Sequence, residues 1–143
     1  MAEPTTSRVA LLSIHPQYAE AIMRGEKRVE FRKSALRDDV RQALVYATSP
    51  VQRIVGVFSI TGVDRATPKE LWSRYGSVGC ITSDDFDAYY NAWTHGAAIV
   101  IGEAWRLDSP MALSALAGDI RAPQSYRYLE AEVVARSVQH VRS

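Results

Sequence analysis

The stretch SIHPQYAEAIMRGEKRVEFRK, residues 13–33, carries the strongest structural signals in the chain. An apolar run at residues 9–14 leads into it, and this run is long enough for one buried strand. Pro16 suits the first turn of a helix, and apolar side chains follow it at helical spacing. Gly25 stands where a helix commonly ends on a glycine. The stretch therefore predicts a strand, a short helix and a tight turn in close order.

A second, charged strand completes this stretch. Residues 29–32 alternate apolar and polar side chains, so one face packs on the core and the other presents Glu30 and Arg32. Lys27 lies just past the predicted helix end. One interpretation is an ion-pair network that pins the turn, at about 0–1 kcal/mol per exposed pair. The other is a cleft in which Glu30 accepts a hydrogen bond from a base while Lys27 or Arg32 holds a phosphate or carbonyl.

Further apolar runs predict more buried strands. These runs are residues 43–47, 54–60, 97–101 and 104–107. Gly56, inside one of them, indicates a bulge or a close backbone approach. Residues 108–124 predict a loop with a short helix, and residues 128–138 fit either a helix or a strand.

Two helices are predicted in the middle of the chain. Thr67, Pro68 and Glu70 have the spacing of a capping box with proline at the first helical position. Thr82 or Ser83 can cap the next helix. That helix carries an aromatic stripe at helical spacing, which favours packing in the core. The stripe consists of Phe86, Tyr89, Tyr90 and Trp93.

Length and composition restrict the class of protein. The chain has 143 residues, which predicts a single domain over residues 1–143. An apolar share of 47% and a charged share of 23% indicate a globular chain rather than bulk disorder. Five to six strands with about three helices, and no regular βαβ alternation, predict an α+β fold with a small mixed or closed sheet.

Hydropathy and the positions of cysteine and histidine also restrict the compartment and the cofactors. No apolar run approaches the ~20 residues that a membrane span needs, and the first residues lack a signal-peptide pattern. The single cysteine, Cys80, excludes an intrachain disulfide and a cysteine-cluster zinc site. His15, His95 and His140 are too widely spaced to suggest a metal site. We therefore expect a cytoplasmic protein without metal, cofactor or membrane contact, and the oligomeric state stays open.

Charge is unevenly distributed although the net charge is +1. Residues 1–63 carry nine basic and six acidic side chains, whereas residues 64–143 carry eight and ten. A balance this close to zero is not typical of a protein that coats nucleic acid. The basic stretch at residues 24–41 is either a solvated, salt-paired surface or the rim of a cleft that attracts phosphate.

The opening stretch resembles the ASCH domain family, a PUA-like group. The family pattern is a strand followed by P-x-x-A-x-x-I-x-x-G-x-K-x-x-E-x-R. Each of its positions is matched here, by Pro16, Ala19, Ile22, Gly25, Lys27, Glu30 and Arg32. Weaker similarity to the family continues at residues 46–58 and 123–129. The resemblance therefore spans nearly the whole chain.

This resemblance implies a small PUA-like mixed β-barrel with surrounding helices and a cleft between them. It also implies that the cleft binds RNA, single-stranded nucleic acid or a modified nucleoside. The residues implied to bind the ligand are Lys27, Glu30, Arg32, Lys33, Tyr46, Thr48, Ser49, Gln124, Ser125, Tyr126 and Arg127. Among them, Tyr46 and Tyr126 are the candidates for stacking on a base.

Some proteins of the family are enzymes, which gives the resemblance a second implication. One branch resembles an amidohydrolase of N4-acetylcytidine that uses a lysine, a threonine three residues later and a distant glutamate. Lys27 matches that lysine, whereas Glu30 stands in the threonine position. Other members cleave RNA, and for such a reaction Lys27, Glu30 and Ser125 are the candidate catalytic residues.

Three hypotheses about function therefore stay open. The first is non-catalytic binding of RNA or a modified nucleotide. The second is a small hydrolase, either a ribonuclease or an amidohydrolase of an acylated nucleoside. The third is a protein-interaction or transcription-coactivator module without a ligand of its own. A steep loss of RNA affinity with salt would separate the first from the third, and product formation that Lys27→Ala abolishes would support the second.

Overall fold

Six strands and four helices make up the fold of the computed structural model, which describes residues 7–116 and 119–142. The strands are β1 (Arg8–Ile14), β2 (Val29–Arg32), β3 (Gln42–Ala47), β4 (Arg53–Ala66), β5 (Gly96–Met111) and β6 (Tyr126–Glu130). The helices are α1 (Pro16–Met23), α2 (Pro68–Tyr75), α3 (Ser83–Tyr90) and α4 (Ala131–Ala135). In the described part of the chain no helix is long and apolar enough to cross a membrane.

The predicted helix ends are confirmed by their capping residues. Pro16 is the first residue of α1, and Gly25 follows its end with a φ of 80° that glycine adopts readily. The Thr67 side chain accepts from the backbone of Glu70, and the Glu70 side chain accepts in return from the backbone of Thr67. Thr82 caps α3 in the same manner with its side-chain oxygen. Each cap satisfies a backbone donor that the first helical turn leaves unpaired.

The strands form one mixed sheet in the order β2–β5–β4–β3–β1–β6. The pair β1–β3 is parallel, and the other neighbouring pairs are antiparallel. The α+β prediction is therefore confirmed, but the closed β-barrel is corrected. Within residues 7–116 and 119–142 the edge strands β2 and β6 do not pair. A side chain joins the two edges instead, because Arg32 of β2 bonds to Ser125 just before β6.

The central hairpin of the sheet is longer than its sequence pattern suggests. The two runs predicted at residues 97–101 and 104–107 belong to one strand, β5, which pairs with β4 through several register shifts. The close approach predicted at Gly56 is confirmed. A Cβ there would lie 2.6 Å from the carbonyl oxygen of Trp105 and would collide with the Met23 side chain of α1. The absence of a side chain at Gly56 therefore allows α1 to pack closely against the sheet.

Three apolar clusters hold the layers together. The first cluster lies between one face of the sheet and α1, the second on the opposite face beside α4, and the third between β2, β5 and the helices α2 and α3. Neighbouring residues of a strand alternate between the faces, so Val45 packs in the first cluster and Tyr46 in the second. Phe86 and Tyr90 of the aromatic stripe are buried in the third cluster, whereas Trp93 is exposed.

Candidate functional site

A cleft of about 700 Å³ opens beside the edge strand β2. Its walls are the end of β1, the start of α1, one side of α3 and the segment that precedes β6. The charged residues of its lining are Lys27, Glu30, Arg32, Lys33 and Asp85. Three cations therefore face two carboxylates in a cavity of the size that commonly holds a small ligand. Among the described residues there is no cluster of three His, Cys, Asp or Glu side chains that could hold a metal ion.

Lys27 lies on the floor of the cleft and is only 2% exposed. The turn after α1 carries it there, since its backbone N–H donates to the carbonyl of Ala21. Its Nζ donates to the carbonyl of Gly79 at 2.5 Å and lies 3.6 Å from Oε1 of Glu30. The Tyr18 ring packs beside it, with its centroid 5.1 Å from Nζ. The contact with Glu30 is an ion pair without a hydrogen bond, so among the described residues the ammonium donates only to Gly79 and keeps N–H donors for a ligand.

Arg32 holds the cleft together by joining four acceptors. One terminal nitrogen donates to Oε2 of Glu30 at 3.0 Å and to the carbonyl of Ser13 at 3.3 Å. The other donates to the carbonyl of Ser125 at 2.8 Å and to its Oγ at 2.6 Å. The Nε atom is buried and has no partner among the described residues. These bonds use four of the five guanidinium donors, so Arg32 positions its neighbours. We call this arrangement the Arg32 latch.

Ser125 is fixed from two sides, which orients its hydroxyl group. Its carbonyl also accepts from the backbone N–H of Ser13 at 3.0 Å, and the Ser13 hydroxyl donates to the carbonyl of Pro123 at 2.6 Å. Because Oγ of Ser125 accepts from Arg32, its own O–H is left to donate to a ligand in the cleft. A hydroxyl held in this way is suited to a phosphate oxygen.

The rim of the cleft beside α3 combines a cation with aromatic rings. Lys33 Nζ lies 4.9 Å from the ring centroid of Tyr89 and 5.6 Å from that of Trp93. Burial raises the pKa of the Tyr89 phenol above its ordinary value. This part of the lining therefore offers ring faces together with one positive charge.

The structure brings part of the predicted ligand-binding set into this cleft. The residues that line it are Lys27, Glu30, Arg32, Lys33, Gln124 and Ser125. The residues that lie outside the lining are Tyr46, Thr48, Ser49, Tyr126 and Arg127. Tyr46 is buried in the second cluster because the pleat of β3 turns it to the opposite face of the sheet.

Several residues of the lining are not among the site residues that the sequence predicts, and four of them carry aromatic or titratable side chains that could contact a ligand beside those already named. They are His15, Tyr18, Asp85 and Tyr89. His15 is exposed at the junction between β1 and α1, and its ring lies 6.2 Å from that of Tyr18 in an edge-on contact. The junction of β1 with Pro16 is the local signal that could have indicated this part of the lining. A helix that starts directly after a strand places its first turn next to the end of that strand. The sequence predicts that the aromatic stripe of α3 packs in the core, and Tyr89 of this stripe lies where the core borders the cleft.

The fold and the cleft together define a small α+β domain that holds a charged cavity between the two edges of a mixed sheet. Residues 12–111 match the ASCH domain family. The chain therefore belongs to this family. Ser125 and Gln124 lie beyond the matched residues, so part of the cleft comes from the remainder of the chain.

Two curated relatives differ in how much of their length the chain matches. The chain is 27% identical over 143 residues to the ASCH domain-containing ribonuclease of Zymomonas mobilis, covering 96% of this chain and 95% of the relative. It is 29% identical over 129 residues to the large ribosomal subunit protein uL22 of Ureaplasma parvum. That match covers 90% of this chain but only 41% of the Ureaplasma protein.

Solved structures resemble the fold over nearly its full length. The crystal structure of ASCH from Zymomonas mobilis has a TM-score of 0.83 at 24% sequence identity, covering 94% of this chain and 96% of the other. The N-terminal domain of McrB from Staphylothermus marinus has a TM-score of 0.56 at 12% identity, with 93% and 96% covered. At these identities the likeness concerns the fold alone.

Proposed function

We propose that the chain binds single-stranded RNA in this cleft and cleaves it. The observation that carries the proposal is the convergence of Lys27, Glu30, Arg32 and Ser125 on one cavity. The name of the Zymomonas relative, an ASCH domain-containing ribonuclease, supports cleavage rather than binding alone, because that relative matches this chain over nearly its whole length.

Phosphate binding follows from the donors that the protein leaves available. Lys27 has N–H donors beyond its hydrogen bond to Gly79, and Ser125 has its hydroxyl proton. Lys33 adds a further positive charge at the rim. A phosphodiester that enters the cleft therefore meets two donors at its floor and wall, and charge-assisted hydrogen bonds of this kind are the stronger ones.

Cleavage by this chain's own side chains requires the 2′-hydroxyl of RNA to attack the adjacent phosphorus. The new bond joins O2′ to phosphorus, the bond from phosphorus to O5′ breaks, and a 2′,3′-cyclic phosphate results. Glu30 serves as the group that accepts the proton of the 2′-hydroxyl. Lys27 and Ser125 stabilise the charge that develops on the non-bridging oxygens. His15, exposed in the lining, delivers the proton that O5′ takes up.

The contacts of Lys27 favour this reaction over amide hydrolysis. An amidohydrolase with this lysine as its nucleophile needs an unprotonated amine with an available lone pair. Nζ of Lys27 instead donates to the Gly79 carbonyl and lies beside the Glu30 carboxylate. Both neighbours are acceptors, so the lysine acts as a cation and a donor.

A cleavage assay tests the proposal. An end-labelled single-stranded RNA is incubated with the wild-type chain, and the products are examined for 2′,3′-cyclic phosphate ends. Ser125→Ala removes one donor to the developing charge and is expected to slow cleavage about 10²-fold. Ser73→Ala, an exposed serine on α2, is the matched control and should cleave normally. Intact RNA with the wild-type chain, or equal rates for both variants, would contradict the proposal, and binding without cleavage would favour a non-catalytic RNA-binding domain.

A further inference from the structure

Trp93 is an exposed aromatic residue beside the cleft that the proposed reaction does not use. The exposed large apolar side chains of the described residues are Val51, Trp93 and Val133, and Trp93 is the most exposed at 53%. We infer that Trp93 and Lys33 form a second nucleotide subsite, in which the base of a neighbouring nucleotide stacks on the indole and Lys33 binds the phosphate between the two nucleotides. This inference rests on the proposed function and names the class of substrate as single-stranded RNA of at least two nucleotides.

Lys33 connects the cleft to this exposed ring. Both Lys33 and Tyr89 line the cleft, whereas Trp93 does not. The ammonium group of Lys33 lies 4.9 Å from the Tyr89 ring centroid and 5.6 Å from the Trp93 ring centroid. A strand that leaves the cleft toward Trp93 therefore passes this ammonium group, which is where its next phosphate needs a positive charge.

The backbone around Trp93 is held in place before any ligand arrives. The N–H of Trp93 donates to the carbonyl of Tyr90 at 2.7 Å, and the N–H of Asn91 donates to the carbonyl of Asp87 at 2.7 Å. Asn91 has a φ of 45° and ends α3, so the chain turns away from the core at this point. The Tyr90 hydroxyl donates to the backbone carbonyl of Arg32 at 2.8 Å, which ties this end of α3 to β2. The backbone that carries Trp93 is therefore fixed relative to the cleft.

The combination of rings and charge selects single strands. A base stacks on an aromatic side chain through its face, and in a duplex both faces are covered by neighbouring bases. Every base has such a face, so this subsite discriminates little between sequences. Asp85, also in the lining, adds a negative charge, which favours placing the phosphate on the Lys33 side.

The test compares ligands of increasing length on the full chain. The ligands are uridine 3′-monophosphate and 2′-O-methyl oligouridines of two and four nucleotides, which cannot be cleaved through the 2′-oxygen. Trp93→Ala is expected to weaken binding of both oligonucleotides roughly 5- to 150-fold and to leave the mononucleotide affinity unchanged. Trp93→Phe should retain most of the affinity. Val133→Ala, another exposed apolar residue outside the lining, is the control and should bind as the wild type does.

Each other result counts against the subsite. If Trp93→Ala binds all three ligands as tightly as the wild type, the subsite is absent while the proposed function stands. If it weakens the mononucleotide equally, Trp93 supports the cleft itself rather than a second position. A wild-type chain that binds none of the ligands overturns the proposed function and the subsite together.

Discussion

Glu30 is the residue on which the charge balance of the cleft depends. Its two oxygens are shared between Lys27 and Arg32, at 3.6 Å and 3.0 Å. All three side chains are at most 9% exposed. Buried charges are costly unless they are paired and hydrogen-bonded, so one carboxylate makes it possible to hold two cations next to each other.

Glu30→Gln tests this pairing through stability. The substitution keeps the shape of the side chain but leaves two buried cations without a negative partner, so we expect the free energy of unfolding to fall by about 3–5 kcal/mol. Urea unfolding followed by circular dichroism measures the change. The control is Glu26→Gln, whose ion pair with Arg24 is exposed and whose loss should leave the midpoint unchanged. Equal midpoints for the wild type and Glu30→Gln would show that the cations are solvated.

Arg32→Lys tests the latch without removing the positive charge. Lysine lacks the planar fork that reaches Ser13, Glu30 and Ser125 together, so we expect a loss of about 1–3 kcal/mol in stability. If Arg32 acts on RNA through Ser125, Arg32→Lys and Ser125→Ala should each slow cleavage and the double variant should be little slower than either. Fully additive losses would show that the two residues act independently.

At the level of elements, the position of α1 against the sheet decides where Lys27 lies. The helix packs over Gly56 of β4 through Met23, and Lys27 follows four residues after Met23. Glu20 of α1 also forms a two-point ion pair with Arg106 of β5. The floor of the cleft therefore depends on contacts that lie on the far side of the helix.

Gly56→Ala tests the packing contact. The added methyl group would overlap the backbone carbonyl of Trp105 and the sulfur of Met23. Because this overlap forces the neighbours to shift, we expect a loss of about 1–3 kcal/mol in the free energy of unfolding. Gly62→Ala, in the same strand, is the matched control because a Cβ there has no neighbour within 4 Å among the described residues. Comparable stability of the two variants would mean that α1 moves without cost.

The ion pair between Glu20 and Arg106 should make stability depend on acid pH. The hydrogen bond from Arg106 lowers the pKa of Glu20 below its ordinary value. A carboxylate with a lowered pKa in the folded state stabilises the fold above its unfolded pKa, roughly pH 4.3, and loses that contribution as the pH falls through the lowered value. Thermal unfolding between pH 2.5 and 6 should therefore show a shallower acid decline for Glu20→Gln than for the wild type. An unchanged decline would contradict the pairing, and Glu103→Gln serves as an exposed control.

Local signals explain which elements the sequence could predict. The bounds of α2 follow from its capping box, and β2 follows from four alternating residues, because these features are satisfied within a few positions. The length of β5 could not be predicted, since Gly102 interrupts its apolar pattern. In the folded chain Gly102 packs against Ser59 of β4 and the strand continues. Pairing with β4 therefore overrides the local interruption.

On the scale of the whole molecule, some residues of the site can be predicted from the sequence and others cannot. Strand alternation alone places Glu30 and Arg32 on one face, and this prediction is confirmed. The inclusion of Ser125 rests on contacts between residues 93 positions apart, which no local pattern encodes. Whether Tyr46 lines the cleft depends on which face of the sheet carries it, and the packing of α1 decides that face. The open form of the sheet is also missing from any local pattern, because its two edges meet through side chains and not through backbone pairing.

The number of cations in the cleft predicts how RNA affinity responds to salt. Contacts of Lys27 and Lys33 with the phosphates of a single strand should give a slope of about −1.4 in a plot of log affinity against log salt concentration. Fluorescence anisotropy between 50 and 300 mM salt measures this slope. Lys33→Ala should make it shallower by about 0.7. A much steeper slope would indicate that the wider basic surface at residues 24–41 binds RNA, and a flat one would favour the protein-interaction hypothesis.

The Arg32 latch has a consequence for how the chain matures on the ribosome. A nascent chain that has emerged only to Met111 already contains β2 and Lys27, but Arg32 then has no Ser125 to bond. The segment that supplies Pro123, Gln124 and Ser125 follows every strand of the described sheet except β6. The pocket is thus complete only when the later segment docks against the earlier one, and a translation product interrupted before that segment would carry the cations without the wall that organises them.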